Sequence, residues 1–328
     1  MLKVCIVGAG AIGGFLGTRL ALSGGTEVAA LARGTTLVAL RDRGWRLEEN
    51  GALTQAPVCL ASDDPRELGP QDLVILAVKG PALPPLAPTL APLIAPHTLL
   101  LPAMNGVPWW FAQGIASLGA APLESIDPGG AIAAALPAAQ VIGCVVHVSA
   151  ATAAPGIAVH RMGRRLIIGE PLGGESPRVQ TLATLLTRAG FEVQTSERIR
   201  YDIWYKLWGN MTMNPISALT GATMDRVLED ELLCAFSAAA MREAAQVGER
   251  IGCALTQSPQ DRHAVTRKLG AFKTSMLQDV EVGRPLELDA LVGVVREIGA
   301  RVGVATPMVD ALFALTRLFG RVRGLYPQ

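Results

Sequence analysis

Lys206, Asn210 and Asn214 stand four residues apart in the stretch Ile203 to Pro215. On a helix that interval puts all three side chains on one stripe. Their neighbours Trp204, Leu207, Trp208, Met211 and Met213 are bulky and apolar, so the polar ladder reads as facing a cleft. An apolar wall disfavours the charged form of a lysine, which moves its pKa towards working pH and suits it to protonate a carbonyl oxygen. The plainer reading is a lysine reaching solvent along its hydrocarbon stem, beside two capping or core asparagines. Further on, Ser275 could donate to a carboxylate, and Glu287 could orient Lys206 or hold a hydroxyl. Spacing alone also allows both to be surface or capping residues.

A second set of residues points to a nucleotide. The apolar run Val4 to Val7 ends in Gly8-Ala9-Gly10-Ala11-Ile12-Gly13, and Ile12, Phe15, Leu16 and Leu20 follow at helical spacing. This is the strand, tight turn and helix of a dinucleotide site, where backbone amides at a helix N-terminus meet a pyrophosphate. The next strand, Glu27 to Ala32, ends at Arg33 rather than at the acid that would hold a ribose 2′-hydroxyl. An arginine there suits a 2′-phosphate, and so NADP rather than NAD. Leu73 to Val78 reads as a strand buried on both faces, with Lys79 at its carboxyl end, where open α/β sheets bind ligands. Thr98 to Leu101 repeats the pattern and delivers Asn105-Gly106, which fits either a site residue or an ordinary turn.

The elements that must position these residues divide into two textures. Short strands are predicted at Trp45 to Glu49, Ala56 to Leu60, Val141 to Ser149, Gly156 to His160, Leu166 to Gly169 and Phe191 to Thr195, with a helix over Pro177 to Ala189. Beyond Ser196 helical patterns dominate: Leu228 to Ile251, Ala264 to Gln278, Asp289 to Val302 and Pro307 to Val322. The expected architecture is an N-terminal α/β Rossmann-type domain with a mostly parallel sheet over 1–196, then an all-α domain over 197–328. A chain of 328 residues fits two domains, and its 50% hydrophobic content supplies the core.

Composition excludes several classes. A net charge of +1 without blocks of one sign argues against a nucleic-acid partner. Cys5, Cys59, Cys144, Cys234 and Cys253 are scattered, forming neither a zinc pattern nor a disulfide framework, as expected of reduced thiols in the cytoplasm. His97, His147, His160 and His263 have no metal-ligand spacing. The Gly-rich turn interrupts what would otherwise resemble an export signal, and six prolines cut the apolar stretch Leu83 to Met104, so neither a signal peptide nor a membrane helix is expected. The apolar helices of the second half could bury against one another or against a second subunit, as in a homodimer.

Taken together, the glycine turn, Arg33, Lys79, Asn105-Gly106, the Lys206/Asn210/Asn214 ladder and the Ser275 to Asp289 segment resemble the ketopantoate reductase family, and they do so in the family's order. The resemblance implies NADPH-dependent reduction of 2-dehydropantoate to (R)-pantoate in pantothenate and coenzyme A synthesis, with the site in a cleft between the domains. By position, Lys206 resembles the general acid and Glu287 its acidic partner. Asn105, Asn210 and Asn214 resemble substrate contacts, and Ser275 the carboxylate contact. Gly8, Ala9, Gly10, Ala11, Ile12, Gly13, Arg33, Lys79, Asn105 and Glu287 resemble cofactor contacts. Met224 stands where family members can present another substrate asparagine, which leaves open a different 2-oxo acid substrate. A non-catalytic NADPH-binding regulator is a third reading, against which the joint presence of Lys206 and Glu287 counts.

Overall fold

A computed structural model describes residues 1–328. The chain packs as two units: Met1–Met104 with Ala131–Asp202, and Asn105–Gly130 with Ile203–Gln328. The segment 105–130, inside the first of the two spans drawn from sequence, therefore packs with the helical residues.

The first unit is built on a parallel sheet whose strands are β1 (Leu2–Val7), β2 (Thr26–Leu31), β5 (Ala61–Ser62), β6 (Gln71–Leu76) and β7 (Ile94–Pro102), in the order β5-β2-β1-β6-β7. Val4, Cys5, Ile6, Leu73, Val74, Ile75 and Leu76 are all buried, as expected of strands covered on both faces. A second sheet holds β3 (Trp45–Glu49), β4 (Ala52–Ala56), β8 (Gly143–Ala154), β9 (Ile157–Gly169) and β10 (Glu192–Thr195). Helix α1 (Ala11–Leu22) touches strands of both sheets. This explains why its sequence, AIGGFLGTRLAL, shows little polar face. Helices α2 (Gly34–Arg43) and α6 (Pro177–Arg188) complete the unit with three single turns, α3 (Pro65–Leu68), α4 (Leu83–Leu86) and α5 (Ala131–Ala135).

Two strand expectations shift. The hairpin partner of β3 is Ala52–Ala56 rather than 56–60, because Asn50 and Gly51 both take positive φ (51° and 78°) and close a two-residue turn that pairs Glu49 with Ala52. The runs 156–160 and 166–169 belong to one strand, β9. Its middle residues are charged because part of that strand lies open to solvent.

The second unit is helical: α7 (Ile199–Thr220, its residues from 203 on), α8 (Met224–Glu229), α9 (Glu231–Arg250), α10 (Pro259–Arg267), α11 (Ser275–Glu281), α12 (Val294–Arg301) and α13 (Pro307–Val322). The pattern from Leu228 to Ile251 conceals a break, since Asp230 is extended and its carboxylate accepts from Leu233 N to start α9 afresh. The pattern from Ala264 to Gln278 breaks too. One helix ends at Arg267, Gly270 at φ +64° turns the chain beyond it, and the Thr274 hydroxyl caps the next helix through Leu277 N. A π turn at Asp289–Gly293 precedes α12. No helix is long and apolar enough to cross a membrane, and no cluster of His, Cys, Asp and Glu could hold a metal ion.

Candidate functional site

In the first unit the carboxyl ends of β2, β1 and β6 lie side by side, with Val7 opposite both Leu31 and Leu76. The turn after β1 shows which glycines the fold itself demands. Gly8 has φ +92°, and a Cβ on Gly13 would stand 1.9 Å from the Gly8 carbonyl oxygen, so neither tolerates a side chain. Gly10 differs, for a Cβ there would meet nothing within 4 Å. Its side opens outward, beside the amides of Ala11, Ile12 and Gly13 in the first turn of α1, which no side chain caps. That is the bare backbone surface a phosphate requires.

Arg33 immediately follows the buried Ala32 and occupies the N-cap position of α2, its side chain exposed and in no ion pair or hydrogen bond. Neither acid weighed from the sequence stands at this tip: Glu27 is opposite Lys3 in the strand register near the other end of β2, and Asp42 lies in the last turn of α2. Lys79 follows β6, half-buried, and its carbonyl accepts from Ala82 N at 2.9 Å.

In the second unit, α7 sets the ladder. Trp204 and Trp208 are buried on its rear and donate through their indole Nε1 atoms to Ala244 O and Met241 O of α9, at 3.2 and 2.6 Å. Two large rings with satisfied N–H groups fix both the rotation and the height of the helix. Lys206, on another side, is half-buried, and its Nζ donates to Asn105 Oδ1 at 2.9 Å. The Asn210 side chain is half-buried and makes no hydrogen bond, while Asn214, only 5% exposed, donates to Ser275 Oγ at 3.3 Å. Pro215 interrupts the ladder of backbone bonds without ending the helix, which runs to Thr220.

Asn105 reaches Lys206 because its segment is pinned at several points. Phe111 stacks on Trp204 with ring centroids 6.0 Å apart. Gly106, at φ +82°, lies so close to Ala290 that a Cβ would stand 2.4 Å from its carbonyl oxygen, and that same oxygen accepts from Val107 N at 3.1 Å. Ala290 belongs to the π turn that follows the buried Glu287, so the contact ties the Asn105 loop to the segment carrying Glu287. The structure thus joins Asn105 to Lys206 and Asn214 to Ser275. The sequence reading missed Gly106 and Ala290 as the joint between Asn105 and Glu287, and nothing local marks Ala290. A half-buried lysine held by an amide oxygen, beside an amide with all its hydrogen-bonding capacity free, can present a proton and two polar contacts to a small oxygen-rich ligand.

Met224 does not open onto this group. It is 1% exposed and packs with Met213, Ile216, Val227, Leu228 and Leu312.

Comparison with known proteins places this geometry in context. A family described as ketopantoate reductase PanE/ApbA matches residues 4–173, and its C-terminal counterpart matches 198–319. A 2-dehydropantoate 2-reductase of Mesorhizobium japonicum is 43% identical, over 99% of this chain and 100% of its own. A solved structure described as a candidate ketopantoate reductase from Ralstonia solanacearum is 56% identical and has a TM-score of 0.95, covering 99% of this chain and 100% of its own. D-mandelate dehydrogenase, solved with NADH and anilino(oxo)acetate, shares the fold with a TM-score of 0.84 at 22% identity, over 99% of this chain and 100% of its own.

Proposed function

The chain belongs to the ketopantoate reductase family of oxidoreductases, and from that premise we propose that it reduces 2-dehydropantoate to (R)-pantoate with NADPH in the cytoplasm. The observation that carries the reading is the hydrogen bond of Lys206 Nζ to Asn105 Oδ1 at 2.9 Å. It holds the proton donor in one place through a residue that is 101 positions distant in the chain.

In this reading the first unit binds the nucleotide. Gly10 and the first amides of α1 receive the pyrophosphate, Arg33 the 2′-phosphate, and Lys79 a further cofactor oxygen. The bound coenzyme supplies a hydride to the keto carbon. Lys206 donates its proton to the oxygen that becomes the alcohol. Asn105 keeps the ammonium aimed, and we assign the buried Glu287 as its acidic partner. Asn210 offers its amide to the substrate directly, and Asn214 holds the Ser275 hydroxyl towards a substrate oxygen. We also assign Asn105 and Glu287 as coenzyme contacts.

The burial of Met224 removes the apolar wall that would favour a bulkier 2-oxo acid. The test is NADPH consumption, followed by absorbance, with 2-dehydropantoate against branched and aromatic 2-oxo acids. The expected result is preference for 2-dehydropantoate. Higher kcat/KM for another acid overturns the substrate, and tight NADPH binding with no consumption overturns the enzyme.

A further inference from the structure

After α13 the chain turns back on itself. Gly324 takes φ +68°, Gly324 N donates to Arg321 O at 3.1 Å, and Leu325 N donates to Gly320 O at 2.7 Å, which closes the helix and reverses its direction. Gly320 lets the returning residues come close, since a Cβ there would stand 2.8 Å from Tyr326 Cβ. The fold then uses two neighbours differently. Leu325 is buried, and its carbonyl accepts from Leu286 N at 2.9 Å. Tyr326 is half-buried, and its hydroxyl donates to Asp289 Oδ1 at 2.7 Å. The two contacts fall on either side of Glu287, which is 5% exposed.

Leu325 already supplies the apolar contact that seats this segment on the core. The Tyr326 hydroxyl does something else, because Asp289 is the first residue of the π turn. A π turn is a rare departure from the α-helix that it interrupts, and such turns recur at functional sites. Burial and the neighbouring carboxyl push the Tyr326 pKa up, so the phenol is a donor at any working pH, and burial pushes the Asp289 carboxyl up as well. Its Oδ1 can accept whether the group is ionised or protonated.

The next residue, Ala290, carries the contact onward. Its carbonyl accepts from Val107 N at 3.1 Å, and a Cβ on Gly106 would stand 2.7 Å from its own Cβ, so no slack separates the π turn from the loop. Asn105 precedes Gly106 and accepts from Lys206 Nζ at 2.9 Å. Direct contacts and chain neighbours thus run from Tyr326 through Asp289, Ala290, Gly106 and Asn105 to Lys206, all within the second unit. We propose that Tyr326 is a positioning residue for the reductase, fixing through Asp289 the π turn on which the Asn105 loop rests and so the aim of Lys206. The assignment rests on the reductase reading and deepens it.

The test combines kinetics with amide hydrogen exchange, followed by NMR at Val107. Tyr326→Phe, which keeps the ring and removes the hydroxyl, is expected to lower kcat with 2-dehydropantoate about 3- to 10-fold and to speed Val107 exchange by a similar factor, with the α9 amides unchanged. Asp289→Ala should match it, whereas Asp289→Asn keeps an acceptor oxygen and should stay within about 3-fold of the parent. In an Asn105→Ala background Tyr326→Phe is expected to add no further loss of kcat, because the contact acts through Asn105. Equal losses in both backgrounds would make Tyr326 a general structural residue and overturn the proposal, as would a loss in Asp289→Asn as large as in Asp289→Ala. Exchange at Val107 separates this from the parent reading. Faster exchange in Tyr326→Phe, with no turnover by the parent, defeats the reductase and leaves the Tyr326 link to the Asn105 loop standing. Turnover by the parent, with equal Val107 exchange in both proteins, defeats the Tyr326 assignment.

Discussion

The two regions that carry the candidate chemistry are built by different means. Around Gly8 to Gly13 the parts are backbone: strand ends in register, positive φ at one glycine, and amides at a helix start. Around Lys206 the parts are side chains from distant positions, Asn105 meeting Lys206 and Ser275 meeting Asn214, on a helix anchored from another face by Trp204 and Trp208. A backbone-built site is fixed by a few residues adjacent in sequence. A side-chain-built site depends on remote anchors such as Trp204 and Trp208, and it fails when they do.

Lys206→Ala should break the second region while leaving the first untouched. Turnover is expected to fall about 10²- to 10⁴-fold, with NADPH affinity by fluorescence titration nearly unchanged. Unchanged turnover would remove Lys206 from the mechanism. Trp208→Ala tests the dependence on anchors: it should cost about 3–5 kcal/mol in denaturant unfolding and lower activity through Lys206, although the indole faces α9. A loss below about 1 kcal/mol would mean that α7 is fixed by something else. Arg33→Asp probes the first region, with NADPH binding expected to weaken about 10- to 100-fold and NADH binding far less. Equal losses would show that Arg33 does not read the 2′-phosphate.

The smallest effect concerns pH. Burial raises the Glu297 pKa, but hydrogen bonds from the Ser125 hydroxyl and the amides of Ser125 and Glu124, with Arg301 beside it, carry the net shift below the ordinary value. The carboxylate therefore stabilises the fold above its unfolded pKa of about 4.3, and that contribution is lost as pH falls through the lower folded value. Glu297→Gln should cost about 1 kcal/mol at neutral pH and flatten the acid limb of the stability profile. A parallel limb in the variant would rule Glu297 out as its source.

The same contrast explains what could be read in advance. The glycine turn and the parallel strands were legible because neighbours in sequence are neighbours in the structure there. The spacing of Lys206, Asn210 and Asn214 was legible as a stripe, yet spacing could not say which atoms meet it. That Asn105 is the partner of Lys206 depends on Phe111, Gly106 and Ala290, far apart in the chain. The breaks at Asp230 and at 268–274 were missed because capping chemistry interrupts an apolar rhythm that continues across it.

Residues 105–130 lie in the middle of the chain but pack with its last third. Glu297 and Arg301 hold this excursion, Arg301 through Ala121 O at 2.9 Å. During synthesis, Trp109, Trp110 and Phe111, all buried in the finished protein, leave the ribosome well before the helices that cover them. A fragment ending near residue 202 would therefore display three adjacent aromatic rings to solvent, making it a ready client for chaperones. Dissecting this chain into independently expressed halves calls for moving that loop, not for a single cut.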